Sequence, residues 1–171
     1  MLFGNNYKKE TKAFMEIFKS VFSTMQPIGF SKADVSEALY AMYLICDYAA
    51  KDSGKDRKKL GLAIIQKINS SIWELDYDEM LKRVGFYEDV LEKNFLRVEG
   101  MPPLMTEVLP KDTATKIGII LTDILYNPAC KEDYVKAEFK KFNDAERNGF
   151  SLGVAAPIIG LLGRLYNEIA K

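Results

Sequence analysis

The chain has 171 residues, of which 48% are hydrophobic and 28% charged, a length and balance that suit one globular domain and exclude wholesale disorder. Lys plus Arg equals Asp plus Glu at 24 each, which argues against a duplex nucleic-acid binder, since such proteins carry a basic surplus. With no histidine in the chain, Ser-His-Asp and Cys-His catalysis, His-containing zinc sites and the commonest neutral-pH acid–base group are all absent.

The opening residues, MLFGNNYKKETKAF, hold no apolar run followed by a small-residue cleavage site. They therefore read as no secretory signal, and a cytoplasmic protein is expected. Over 8–25, Phe14, Ile17, Phe18, Val21 and Phe22 recur at spacings of three and four, which predicts an amphipathic helix. QPIGF at 26–30 stops it. Ser31 and Asp34 then resemble a capping box and open a second helix through about Ala50. Its core stripe is Val35, Leu39, Met42, Cys46 and Ala49, with Ala38 and Ile45 beside it. Asp47 on this helix has Lys51 as an i, i+4 partner.

The turn KDSGKD separates a third helix, about 55–72, with Leu60, Ala63, Ile64, Lys67 and Ile68 along one side. The basic residues around this turn, Lys51, Lys55, Arg57, Lys58 and Lys59, are diluted by Asp52 and Asp56 and lack aromatic company, so they read as a solvated connection. Asp76 and Glu79 make a second cap-like pair, followed by Leu81, Val84, Leu91 and Phe95 on one side of a helical stretch that Gly85 is placed to break. The dense acidic group Glu74, Asp76, Asp78 and Glu79 lacks the glycine and later Glu of a calcium loop, and capping explains it better than metal.

The segment EGMPPLMTEVLP, 99–110, interrupts the helical pattern. Paired prolines stiffen it, and methionines suit adaptable contact surfaces. Met101, Pro102, Pro103, Leu104 and Met105 are thus candidate partner-binding residues, with packing across the bundle as the competing reading. A helix over 113–126 follows, carrying Asp123 in apolar surroundings, and Asn127 with Pro128 supplies an N-cap and N1 proline for the next. KLGLAIIQKINSSIWELDY (59–77) and KIGIILTDILYNPACKEDY (116–134) share Lys, Gly, Asp and Tyr at matched positions, a similarity that two amphipathic helices reach partly by construction.

The C-terminal stretch SLGVAAPIIGLLGRLY is the most apolar in the chain. Its 16 uncharged residues, 148–163, lie between Arg147 and Arg164 and would span roughly 24 Å as a helix, short of the ~30 Å hydrocarbon core of a bilayer. Apolar residues on every side predict a central core helix rather than a membrane span. Gly153, Ala156, Gly160 and Gly163 form a stripe of small residues, and the second reading makes that stripe a seam between two copies in a homodimer.

Cys46 and Cys130 are read as reduced, buried thiols, and their pairing is not decided by spacing. Neither glycine-rich phosphate cradle is present. These features predict an all-α, single-domain helical bundle over 1–171, with about six or seven helices and an apolar central C-terminal helix. The expected function is that of a small, non-enzymatic adaptor, inhibitor or accessory protein, with no cofactor and no metal, whose partner is another protein or a second copy. Two alternatives stand beside it: a carrier or sensor for a small apolar ligand, and a carboxylate-dependent metal enzyme using Asp123 or the 74–79 cluster.

Overall fold

The computed structural model describes residues 7–25, 32–71, 74–92, 113–126 and 144–171. Among these residues there are six α-helices and no strand: α1 (Lys8–Met25), α2 (Lys32–Asp52), α3 (Arg57–Ser71), α4 (Tyr77–Glu92), α5 (Thr113–Tyr126) and α6 (Asp144–Ala170). The chain is an all-α bundle. The candidate partner segment Met101–Met105, the Asn127–Pro128 cap, Ser31 and Cys130 lie outside the described residues.

Helix α2 is the hub, packed against all five others. Its sequence explains the position. Ala38, Leu39, Ala41, Met42, Leu44, Ile45, Cys46, Ala49 and Ala50 are all buried, so no face is reserved for water along its middle. Small alanines let neighbouring helices approach closely, while the larger residues fill the spaces between them. Helix α6 packs against α1, α2 and α5. It buries Ile158, Leu162, Leu165 and Ile169, at spacings of four, three and four. Over 156–171, where the burial of its side chains is described, Ala156, Pro157 and Gly160 face solvent. Pro157 sits within a helix that continues on both sides of it. No helix among the described residues is long and apolar enough to cross a membrane.

Capping defines the turns. Gly54 takes a left-handed φ of 71°, a conformation in which a Cβ would be strained. The Lys55 N–H then reaches the Ala50 carbonyl at 2.9 Å and the Gly54 N–H reaches Lys51 at 3.3 Å, which is the Schellman pattern that ends α2. Asp56 starts α3 by accepting the Lys59 N–H at 3.1 Å, and Asp76 starts α4 by accepting the Glu79 N–H at 3.0 Å. The acidic group 74–79 therefore contains a working N-cap.

Three sequence expectations change. Gly85 does not break α4, which runs through it to Glu92. Leu81 is 49% exposed, and Met80 and Tyr87 are the fully buried residues of α4; of the expected stripe, Val84 and Leu91 are half-buried against the core and Phe95 lies outside the described residues. Asp47 pairs not with Lys51 but with Arg57, whose Nε donates to it at 2.8 Å. The Schellman turn folds α3 back against α2 and brings Arg57 closer than the same-helix lysine.

Candidate partner-binding groove

Helices α1 and α3 pack on α2 and on each other, and an open space remains along one side of the α1–α3 contact. Ala63, Gln66, Lys67 and Ser70 recur on one side of α3 at spacings of three and four, with Ser71 beside them. Facing them on α1 are Lys8, Thr11, Lys12, Met15, Glu16 and Lys19. Together these residues line an open groove of about 830 Å³. Half-buried Met15 and Ala63 give it an apolar floor, while Lys8, Lys12, Lys19 and Lys67 are exposed along its sides.

The groove carries four lysines against one carboxylate, Glu16, which lies 3.8 Å from Lys12. Both helices share the bias. Every charged residue of α3 is basic (Arg57, Lys58, Lys59 and Lys67), and α1 has Lys8, Lys9, Lys12 and Lys19 against Glu10 and Glu16. Lysine stems can cover apolar surface while their ammonium groups stay in water, so such a groove offers apolar contact and positive charge together.

The other ionisable clusters are tied into the bundle. Lys55, read as part of a solvated turn, is mostly buried; its ammonium donates to Glu10 at 2.8 Å and to the Ile169 carbonyl at 2.7 Å. The Tyr166 hydroxyl pairs with the Asp52 carboxylate nearby. Arg83 on α4 makes a bidentate contact with Glu37 on α2, at 2.9 and 2.8 Å, and its guanidinium stacks 4.7 Å from the Phe86 ring centre. Burial alone would lower the Arg83 pKa, but the bonds and charge of Glu37 outweigh it and keep it above the usual range. Burial, then the Glu37 charge and contact with its carboxylate, pushes the Tyr87 phenol well up, although among the described residues its buried hydroxyl makes no hydrogen bond of good geometry.

Cys46 is buried and free. Loss of water, then the Asp47 charge, raises its pKa well above the usual thiol value, the opposite of what an activated nucleophile needs. No group of three or more Cys, Asp or Glu side chains placed to hold a metal ion occurs among the described residues. Asp123 lies on α5, with its side chain outside the described part.

The small-residue stripe is on α6, with Ala156 and Gly160 exposed and Gly163 half-buried; the surroundings of Gly153 are outside the described part. A methyl group at Gly160 or Gly163 would meet no described atom within 4 Å. The close helix approach uses Gly118 instead, where a methyl would lie 2.9 Å from Ile159 Cγ1 and 3.3 Å from its Cα. In the similar segments 59–77 and 116–134 the shared glycine is a contact point both times, Gly61 against the Tyr43 ring and Gly118 against Ile159.

Sequence reasoning did not single out the groove. The available signals were Lys8, Lys12 and Lys19 on one stripe of α1 and the absence of acidic residues in 57–71. Neither reveals a groove until α1 and α3 are placed side by side. No protein-family model, characterised protein or solved structure matches the chain.

Proposed function

We propose that this protein works by binding another protein rather than by catalysis, and that the α1–α3 groove docks an acidic, amphipathic helical segment. The observation that carries the reading is the groove itself, about 830 Å³ in volume, with an apolar floor and a surplus of lysines. Helix-in-groove recognition uses that combination, in which apolar residues anchor the bound helix and the charged rim sets orientation and association rate. An intracellular setting belongs to the same proposal and is supported by the free, buried Cys46.

The test is fluorescence anisotropy with a labelled, helix-forming peptide built from Glu and Leu. Binding is expected to weaken at least about tenfold in Lys12→Glu/Lys67→Glu, and to weaken with added salt as exposed charges are screened. Because both lysines are exposed, the variant should melt close to the wild-type temperature, losing only the few tenths of a kcal/mol that the exposed Lys12–Glu16 pair supplies. No binding by the wild type, or equal binding by the reversed groove, would overturn the proposal.

A further inference from the structure

We infer that the occupant of the groove is helix α4 of a second copy of this chain, an inference that rests on reading the groove as a docking site. Tyr77, Leu81, Gly85 and Asp89 recur every four residues along α4 and form one outward ridge, with Asp78 adjoining it. Tyr77 is 55% and Leu81 49% exposed, a high value for large apolar side chains on consecutive turns. Gly85 is exposed and a methyl there would meet no described atom within 4 Å, so a facing helix can approach closely in the middle of the ridge.

Charge and length both match. Helix α4 holds five acidic residues against two basic ones, and Glu74 and Asp76 precede it, whereas α1 and α3 are basic. The ridge from Tyr77 to Asp89 is roughly 18 Å long and the lysine row from Lys8 to Lys19 roughly 16 Å, at the helical rise per residue. A chain with no net charge thus separates its charges onto two surfaces, one that offers an acidic apolar ridge and one that offers a basic apolar groove. Helix α4 cannot fill the groove of its own copy. Met80 and Tyr87 bury it against the bundle, where it packs on α2 and α5 while α3 packs on α1 and α2.

Sedimentation equilibrium of the full chain decides the matter, measured from micromolar to hundreds of micromolar protein. The average mass should rise above the 19.4 kDa monomer with concentration in about 50 mM NaCl, and fall back in about 500 mM, where screening shortens the reach of exposed charges. Lys12→Glu/Lys67→Glu and Asp78→Lys/Asp89→Lys should each lose at least about tenfold in association, and an equimolar mixture of the two should recover it, because each then carries the complement of the other. Should the ridge reversal lose helical circular dichroism, Leu81→Ser removes its exposed apolar contact instead and should weaken association likewise. A monomer at every concentration, or association that survives both reversals, would overturn the inference. If the monomeric protein still binds the acidic Glu/Leu peptide through the same lysines, the groove stands as a docking site and only its occupant changes; if it binds neither, both readings fall.

Discussion

The Lys55 ammonium lies 2.7 Å from the carbonyl oxygen of Ile169, a residue 114 positions further along the chain. That oxygen belongs to the last turn of α6, whose final carbonyls lack partners within the helix and carry the negative end of its dipole. Glu10, on α1, completes the contact at 2.8 Å. One lysine in the α2–α3 turn therefore holds the start of α1 and the end of α6 together. Lys55→Met should cost about 1–2 kcal/mol, the worth of charged hydrogen bonds in a mostly buried place. Amide exchange should speed up in the last turn of α6 while the middle of α2 keeps its protection. Unchanged exchange near Ile169 would show that the contact does not hold the helix.

Two glycines on packed helices should respond oppositely to the same change. Gly118→Ala places a methyl 3.3 Å from the Ile159 backbone and should destabilise by about 1–3 kcal/mol, because main chain cannot move aside cheaply. Gly160→Ala meets open space and should stabilise by up to about 1 kcal/mol through helix propensity. Denaturant midpoints give both values. A destabilised, dissociated Gly160→Ala would instead revive the small-residue seam.

Glu37 and Arg83 join α2 to α4 with side chains only 11% and 27% exposed. Removing one partner leaves the other charge in a poorly solvated place, so Arg83→Met should cost roughly 2 kcal/mol, less than a fully buried pair would. The double variant Glu37→Gln/Arg83→Met should be more stable than Arg83→Met alone, which a thermodynamic cycle of the four proteins would measure. Simple additivity would deny the coupling.

Burial, and after it the charge of Glu37, holds the Tyr87 phenol well above its ordinary value. The unfolded chain releases that proton near pH 10, whereas the folded chain keeps it to higher pH. Above about pH 10 the folded state therefore binds more protons, and stability falls as pH rises, by up to about 1.4 kcal/mol per pH unit per group; below that pH the contribution is fully present. Tyr87→Phe should make the alkaline fall in melting temperature shallower. At neutral pH it should cost less than about 1 kcal/mol, because the hydroxyl's contact with the Glu37 carboxylate falls short of hydrogen-bond geometry.

The buried Cys46 thiol should resist alkylation in the native protein. Its pKa is raised by burial and by Asp47, and thiolate, the reactive form, is scarce. Mass-spectrometric mapping after iodoacetamide treatment should find Cys46 unmodified until denaturant is added. Rapid native labelling would mean that α2 opens far more readily than its packing implies.

The parts of the fold that depend on residues close in sequence are legible in the sequence itself. Helix 113–126 falls where its apolar spacing puts it, Asp76 caps as its offset from Glu79 implies, and the α2 stripe Val35, Leu39, Met42, Cys46 and Ala49 is wholly buried. These features follow from helical periodicity and from side chains satisfying nearby backbone groups, and both act within a turn or two. Leu81 stays in water although its spacing suits the stripe, because an apolar residue at the edge of a stripe is buried only if a neighbour reaches it. Helical spacing offers Asp47 only Lys51, because Arg57 comes near only after the Gly54 turn reverses the chain. The groove belongs to the same class, since its walls come from helices separated by α2 in sequence. The sequence alone therefore determined an all-α chain without the histidine chemistry of common enzymes. Only the tertiary structure decided which lysines stand together and which apolar residues stay in water, because those depend on helix pairs chosen by global packing.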